Sequence, residues 1–200
     1  SHSPNPSRKP LANSFAAVGI RLTKTGADST VNNVFYSPRV IGQASTASID
    51  IAPVVGTQVS ENAFYDALLI GGKANVRSSS QFAVNNTFYN PRMSGQVAAP
   101  DGGNTDYNVK ADAGEVLLYS VNFEGCAISD IFLGTGPSAG TAVFGGISES
   151  TAFLTTAANI STSRRLVVIS FVHNNTNAPA GNGVQIDLSI DAEFIGFSTN

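Results

Sequence analysis

Several short stretches of the chain alternate between apolar and polar residues, which is the pattern of a β-strand with one buried face. The clearest examples carry apolar residues in phase at Val18, Ile20 and Leu22, at Leu117, Tyr119, Val121 and Phe123, and at Val184, Ile186, Leu188, Ile190 and Phe194. Residues 166–172 are apolar on both faces, which predicts a strand in the middle of a sheet that is covered on both sides.

About ten to twelve such strands, separated by turns rich in Gly, Pro and Asn, predict an all-β protein. We expect an antiparallel β-sandwich, and a jelly roll first, because 200 residues exceed what a minimal seven-strand sandwich needs. At most one or two short helices are expected. Residues 60–72 predict one helix, since Ser60 suits its N-terminal cap and Gly71 its end; a strand through residues 64–70 is the alternative.

The chain uses one stretch twice. Residues 31–43 and residues 84–96 share nine of 13 positions at a shift of 53. Each copy predicts a short strand that ends where Pro38 or Pro91 removes a backbone donor. Both copies lie in the first half of the chain with no linker between folded halves, so we interpret them as an echoed strand and turn within one domain.

The repeated turns hold the candidate partner-binding or ligand-binding residues, which are Tyr36, Arg39, Tyr89 and Arg92. Turn chemistry alone explains most of the shared residues, and structural corners are therefore one interpretation. Tyr and Arg are also enriched where protein surfaces meet partners. The other interpretation is two related binding or assembly loops.

Residues 1–13 contain three prolines, three serines and no apolar periodicity. They predict a flexible N-terminal arm, which is either a disordered tail or a segment that threads onto a neighbouring subunit. Residues 14–200 are expected to form the single β-sandwich domain.

The balance of charge narrows the class of function. Charged residues make up only 12% of the chain and its net charge is −3. Direct nucleic-acid readout is not expected, because it needs a basic face. A surface kept polar by hydroxyls and amides is typical of secreted, cell-surface and virion proteins. Residues 1–110 carry nine Lys/Arg against six Asp/Glu, whereas residues 111–200 carry two against eight; copies could therefore pack head to tail by charge.

Catalytic and metal chemistry find little support. Residues 136–140 match the G-x-S-x-G pattern, but no helix-forming stretch follows to raise the serine as a nucleophile elbow requires. Asp191 and Glu193 could flank a sugar at roughly 7 Å, but the chain has no Trp to stack on it. An ordinary turn explains residues 101–106 better than a calcium site does. We expect no enzyme, no cofactor and no metal.

Two further features bear on the compartment. Cys126 is the only cysteine, so an intrachain disulfide is excluded. No run approaches the roughly 18 to 20 apolar residues that cross a bilayer, and no membrane span is expected.

The sequence as a whole predicts a structural, self-assembling protein of a virion or an extracellular assembly, such as a capsid, decoration or fibre subunit. Its expected partners are copies of itself, with other virion or surface proteins as further possibilities. The alternative is a glycan-binding or receptor-binding adhesin or spike module.

Overall fold

The protein is a parallel β-solenoid. The computed structural model describes residues 11–12, 18–23, 30–41, 46–53, 57–95, 105–137, 139–150, 152–156, 165–174 and 191–199. Every pairing between the described strands is parallel, and each strand pairs with strands one turn earlier or later in the chain. A chain that coils in this way stacks similar segments at about 4.8 Å per turn.

The described strands are β1 (Leu11–Ala12), β2 (Val18–Leu22), β3 (Thr30–Val31), β4 (Val34–Tyr36), β5 (Arg39–Ile41), β6 (Ala47–Ile51), β7 (Val59–Ser60), β8 (Ala63–Tyr65), β9 (Leu68–Ile70), β10 (Ala74–Ser79), β11 (Ala83–Val84), β12 (Asn86–Tyr89), β13 (Arg92–Ser94), β14 (Tyr107–Ala113), β15 (Glu115–Glu124), β16 (Ser129–Leu133), β17 (Gly140–Ser148), β18 (Leu154–Thr156), β19 (Arg165–His173), β20 (Asp191–Ile195) and β21 (Ser198–Thr199).

Three long ladders of strands run along the solenoid. Ladder 1 contains β2, β6, β10, β14, β16 and β18, so the chain completes five turns between its first and last strands. Ladder 2 contains β4, β8, β12, the first halves of β15, β17 and β19, and then β20. Ladder 3 contains β1, β5, β9, β13, the second halves of β15, β17 and β19, and then β21. A small sheet joins β3, β7 and β11.

The expected antiparallel sandwich and jelly roll are wrong, although the all-β assignment is confirmed. The expected helix at residues 60–72 is also wrong, because β8 and β9 occupy that stretch. Alternation of apolar and polar residues assigns side chains to faces but does not say which strand lies alongside. Residues 166–172 do lie in the middle of a sheet, since β19 pairs with both β17 and β20.

A left-handed residue forms the corner between ladder 2 and ladder 3 in every turn. This position is Ser37, Asp66, Asn90, Ser120, Gly145, Ser170 and Gly196, with φ between 47° and 74°. Asn, Asp and Gly tolerate this backbone region better than other residues. The corner lets the chain change direction without a long loop, so the two ladders remain in register along the solenoid.

The core is made of columns of similar side chains that point inward at each turn. In ladder 2 the column begins with Phe35, Phe64 and Phe88, whose neighbouring rings are stacked with centroids 4.6 and 4.5 Å apart. In ladder 1 the inward column is Ile20, Ile49, Val76, Val109, Ile131 and Leu154. Each turn therefore buries its apolar residues against the turns beside it.

The repeat found in the sequence corresponds to two turns of the solenoid. Phe35 pairs with Phe64, 29 residues later, and Phe64 pairs with Phe88, 24 residues later. These two spacings add to the shift of 53. The copies are therefore the first and third turns of this region, and the turn between them has a weaker version of the same stretch.

Other predictions fall partly outside the described residues. Leu11 and Ala12, at the end of the predicted arm, form β1 and pair with β5. Residues 1–10, 101–104 and 184–190, and also Ser138, are not among the described residues.

Candidate binding surface

A column of aromatic rings runs along the outer face of ladder 2. Neighbouring rings in the column have centroids 4.7 to 5.3 Å apart and planes inclined by 12° to 22°. We call these five rings the tyrosine ladder; they are Tyr36, Tyr65, Tyr89, Tyr119 and Phe144. Ile169 and Ile195 continue the same column toward the last turn.

The local sequence explains why these rings face outward. In each of the three early turns the chain has Phe followed by Tyr, and successive side chains of a strand point to opposite faces. The Phe side chain therefore enters the core, and the Tyr side chain lies outside. Stacked aromatic pairs contribute roughly 0.5–1.5 kcal/mol beyond their buried area, so the ladder also helps to hold successive turns together.

The tyrosine ladder presents both apolar and polar surface. Tyr36 is 73% exposed at the first turn, whereas Tyr65, Tyr89 and Tyr119 are half-buried between their neighbours. No group in the described part of the chain forms a hydrogen bond with the four tyrosine hydroxyls. These hydroxyls and the outer ring edges can therefore contact a partner without breaking an internal bond.

The two candidate arginines lie next to this surface, in the outer column of ladder 3. Leu68 separates Arg39 from Arg92, which places the arginines two turns, or roughly 10 Å, apart. The Arg92 guanidinium donates to both carboxylate oxygens of Glu124, at 2.5 and 2.9 Å, and this partner raises the pKa of Arg92. Arg39 is exposed and has no ion pair with any described residue, so it is the more available of the two cations.

The structure thus brings the four candidate residues onto one continuous surface, as equivalent positions of two turns. Sequence reasoning missed Tyr65, Tyr119 and Phe144, which belong to the same column. The signal for Tyr65 was present, because Phe64 and Tyr65 repeat the Phe-Tyr pair of residues 35–36 and 88–89. Tyr119 and Phe144 lack a preceding Phe, and only the pairing of the strands identifies them.

A second polar cluster lies inside the solenoid, where ladder 1 approaches ladder 3. Asp130 is fully buried and accepts hydrogen bonds from the Ser148 and Ser150 hydroxyls and from Asn108 Nδ2, the last at 2.7 Å. Asn108 in turn accepts a 2.7 Å bond from Asn75 Nδ2. No cation among the described residues pairs with Asp130, and burial raises its pKa to about 6.

The hydrogen bonds of this cluster do not form a catalytic triad. The Ser148 hydroxyl proton goes to Asp130, so His173 Nδ1, at 2.9 Å from Ser148 Oγ, must be the donor to that oxygen. His173 Nε2 is then an acceptor, and it is buried without a partner among the described residues. Serine, rather than histidine, occupies the middle of the chain of bonds, and a nucleophilic serine needs the histidine as its base.

The remaining candidate groups are also enclosed. Cys126 Sγ lies 3.8 Å from Asp130, and burial raises the pKa of this thiol so that it remains protonated. No group of three or more His, Cys, Asp and Glu side chains in the described ranges could hold a metal ion. The described residues also include no helix that is long and apolar enough to cross a membrane.

Comparison with known proteins gave no relative: no protein-family model, no curated protein and no solved structure matches the chain.

Proposed function

We propose that this protein is a structural subunit of an extracellular or virion assembly, in which solenoids bind copies of themselves or other proteins of that assembly. The observation that supports the proposal is the tyrosine ladder, an ordered aromatic column on the outside of a fold built from stacked turns. No catalytic step is part of this function. The subunit acts as a rigid rod that positions contact surfaces along its length.

The chemistry of the ladder suits protein contacts. Tyr side chains have few rotatable bonds, so ordering them at an interface costs little conformational entropy for the area they bury. The rings of the ladder are already held by stacking on both sides, which lowers that cost further. Arg39 and Arg92 add cationic groups at the border of the apolar column, and arginine is frequent at interface hot spots.

The test compares the mass of the purified protein by light scattering over a range of concentrations, with electron microscopy of the same samples. We expect concentration-dependent oligomers. The variant Tyr65→Ser/Tyr89→Ser removes two rings from the middle of the ladder and should weaken association by about tenfold or more, which corresponds to about 1.4 kcal/mol. Tyr65→Phe/Tyr89→Phe is the matched control, because it keeps the stacked rings.

The arginines are tested separately. Arg39→Ala/Arg92→Ala should weaken assembly if these side chains contact a neighbouring copy, and unchanged assembly would remove them from the interface. A wild-type protein that remains a monomer at every concentration would contradict self-assembly as the function.

The second candidate is a glycan-binding or receptor-binding module of an adhesin or spike. It is favoured by the four tyrosine hydroxyls that lack partners among the described residues, since aromatic faces next to free hydroxyls can stack on and hydrogen-bond to a sugar. Here the Phe variant should lose binding on a glycan array, because it removes the hydroxyls. An array with no signal for the wild-type protein would count against this candidate.

A further inference from the structure

The two ends of ladder 2 are unpaired strand edges. β4, in the first turn, pairs with β8 on one side, and β20, in the last turn, pairs with β19 on one side. No described strand pairs with the other edge of either. Unpaired strand edges are templates for pairing with another chain.

These two edges have complementary backbone groups. Asn33 O accepts from Ala63 N, and Ser37 N donates to Tyr65 O, so the odd-numbered residues of β4 bond toward β8. Because successive peptide groups of a strand point to opposite sides, Val34 and Tyr36 direct theirs to the unpaired edge. The register of ladder 2 assigns the matching, forward-facing groups of β20 to Phe194. The first turn of one copy can therefore continue the last turn of another.

The side chains at the two ends also match position by position. Continuing the register of ladder 2 places Phe35 on Phe194 in the core column and Tyr36 on Ile195 in the outer column. The corner residues that follow share the left-handed backbone, with φ of 47° at Ser37 and 62° at Gly196. Neither strand has to change conformation to pair.

Exposed apolar side chains are concentrated at these ends. Val34 is 51% exposed, Tyr36 73% and Ile195 50%, and Val31 of the first turn is 39% exposed. Only two other large apolar residues of the described chain are comparably exposed, Ile128 and Val172. End-to-end stacking would cover the first group in the same way that the interior turns cover Tyr65 and Tyr89.

The charge of the chain supports the same contact. A solenoid lays its sequence out along its axis, so the basic excess of residues 1–110 and the acidic excess of residues 111–200 belong to opposite ends. A head-to-tail junction brings the acidic end of one copy to the basic end of the next, which favours this orientation over head-to-head contact.

One strand of the same chain occupies part of the junction. β1 pairs with β5 through Leu11↔Arg39 and Ala12↔Val40. In ladder 3 this is the place that β21 of a preceding copy would take, since Ser198 occupies the column of Arg39 one turn beyond Val172. A short strand that covers an edge is a common protection against uncontrolled association.

We propose that copies of this protein stack head to tail by parallel pairing of β4 of one copy with β20 of the next, and that β1 caps the junction until it is displaced. The contact is heterologous and does not close, so it produces linear filaments. This inference rests on the proposed function as a self-associating subunit, and it specifies the surface used.

The experiment uses full-length chains, sedimentation velocity and electron microscopy. Leu11→Pro/Ala12→Pro removes the backbone donors of β1 and should increase association by about tenfold or more, with filaments visible. In that background Val34→Glu should reverse the increase, because the register places residue 34 beside Glu193 of the next copy and like charges there repel. Adding Glu193→Lys should restore association.

The outcomes separate this inference from the proposed function. Filaments that respond to the charge reversal as described support head-to-tail stacking. Association that ignores residues 34 and 193 but is lost in Tyr65→Ser/Tyr89→Ser overturns the end-to-end contact and leaves the proposed function standing. A monomer in every variant, including the one that releases β1, overturns both. Circular dichroism of each variant establishes that it is folded.

Discussion

The buried carboxyl group of Asp130 should make the stability of this protein depend on pH in an unusual direction. Asp130 is fully buried, and its described partners are neutral groups that donate hydrogen bonds: the Ser148 and Ser150 hydroxyls and the Asn108 amide. The perturbation is Asp130→Asn, which keeps the size of the side chain and one acceptor oxygen but cannot ionise.

The magnitude follows from the pKa in the two states. Burial raises the pKa of Asp130 from 3.8 to about 6 in the folded protein. Since the folded-state pKa is the higher one, the contribution to stability is fully present below about pH 3.8 and is lost as the pH rises through about 6. Two pKa units correspond to about 3 kcal/mol, of which about 2 kcal/mol should disappear between pH 4 and pH 7.

His173 acts in the opposite direction within the same cluster. Burial lowers its pKa below the ordinary 6.5, so its contribution is present above about pH 6.5 and is lost as the pH falls. The wild-type curve alone therefore mixes two effects. The difference between wild type and Asp130→Asn isolates the carboxyl, because both proteins retain His173.

The assay is urea denaturation followed by circular dichroism at pH 4, 5, 6 and 7, at one ionic strength. We expect the stability of the wild type relative to Asp130→Asn to be about 2 kcal/mol greater at pH 4 than at pH 7. A difference that stays constant over this range would refute the reasoning, because it would mean that Asp130 has an ordinary pKa in the folded protein.

Two further substitutions test the stacking of turns, each with a matched control. Asn62 is buried, accepts from the backbone N–H and Nδ2 of Asn33, and donates to the next turn; Asn62→Ala should cost about 2 to 3 kcal/mol of unfolding free energy in urea, and Asn33→Ala at the exposed end less than about 1 kcal/mol. A Cβ at Gly146 would lie 2.2 Å from Val121 O, whereas at Gly145 the nearest atom is 3.9 Å away, so Gly146→Ala should cost about 4 kcal/mol or more and Gly145→Ala about 1 to 2 kcal/mol by the same measurement; equal costs would contradict the close approach of the backbones.

The all-β class and the outward position of the candidate residues could be inferred from the sequence because they are local properties. Alternation places Tyr36 and Tyr89 opposite Phe35 and Phe88 on their strands whatever the strands pair with. The repeat at a shift of 53 was also visible, and it contained the periodicity of the solenoid at every second turn. The intervening turn was hidden because it has Ala and Leu where its neighbours have Pro and Arg.

What the sequence by itself determined is which residues form strands, which side of each strand is apolar, and where the charge lies along the chain. Only the tertiary structure decided that the strands are parallel, that five aromatic residues form one column, and that Asp130, Ser148 and His173 meet in the interior. Parallel and antiparallel sheets share the same two-residue alternation, and the turns here vary from 24 to 30 residues. Pairing between turns depends on contacts between residues far apart in sequence, and local patterns do not carry that information.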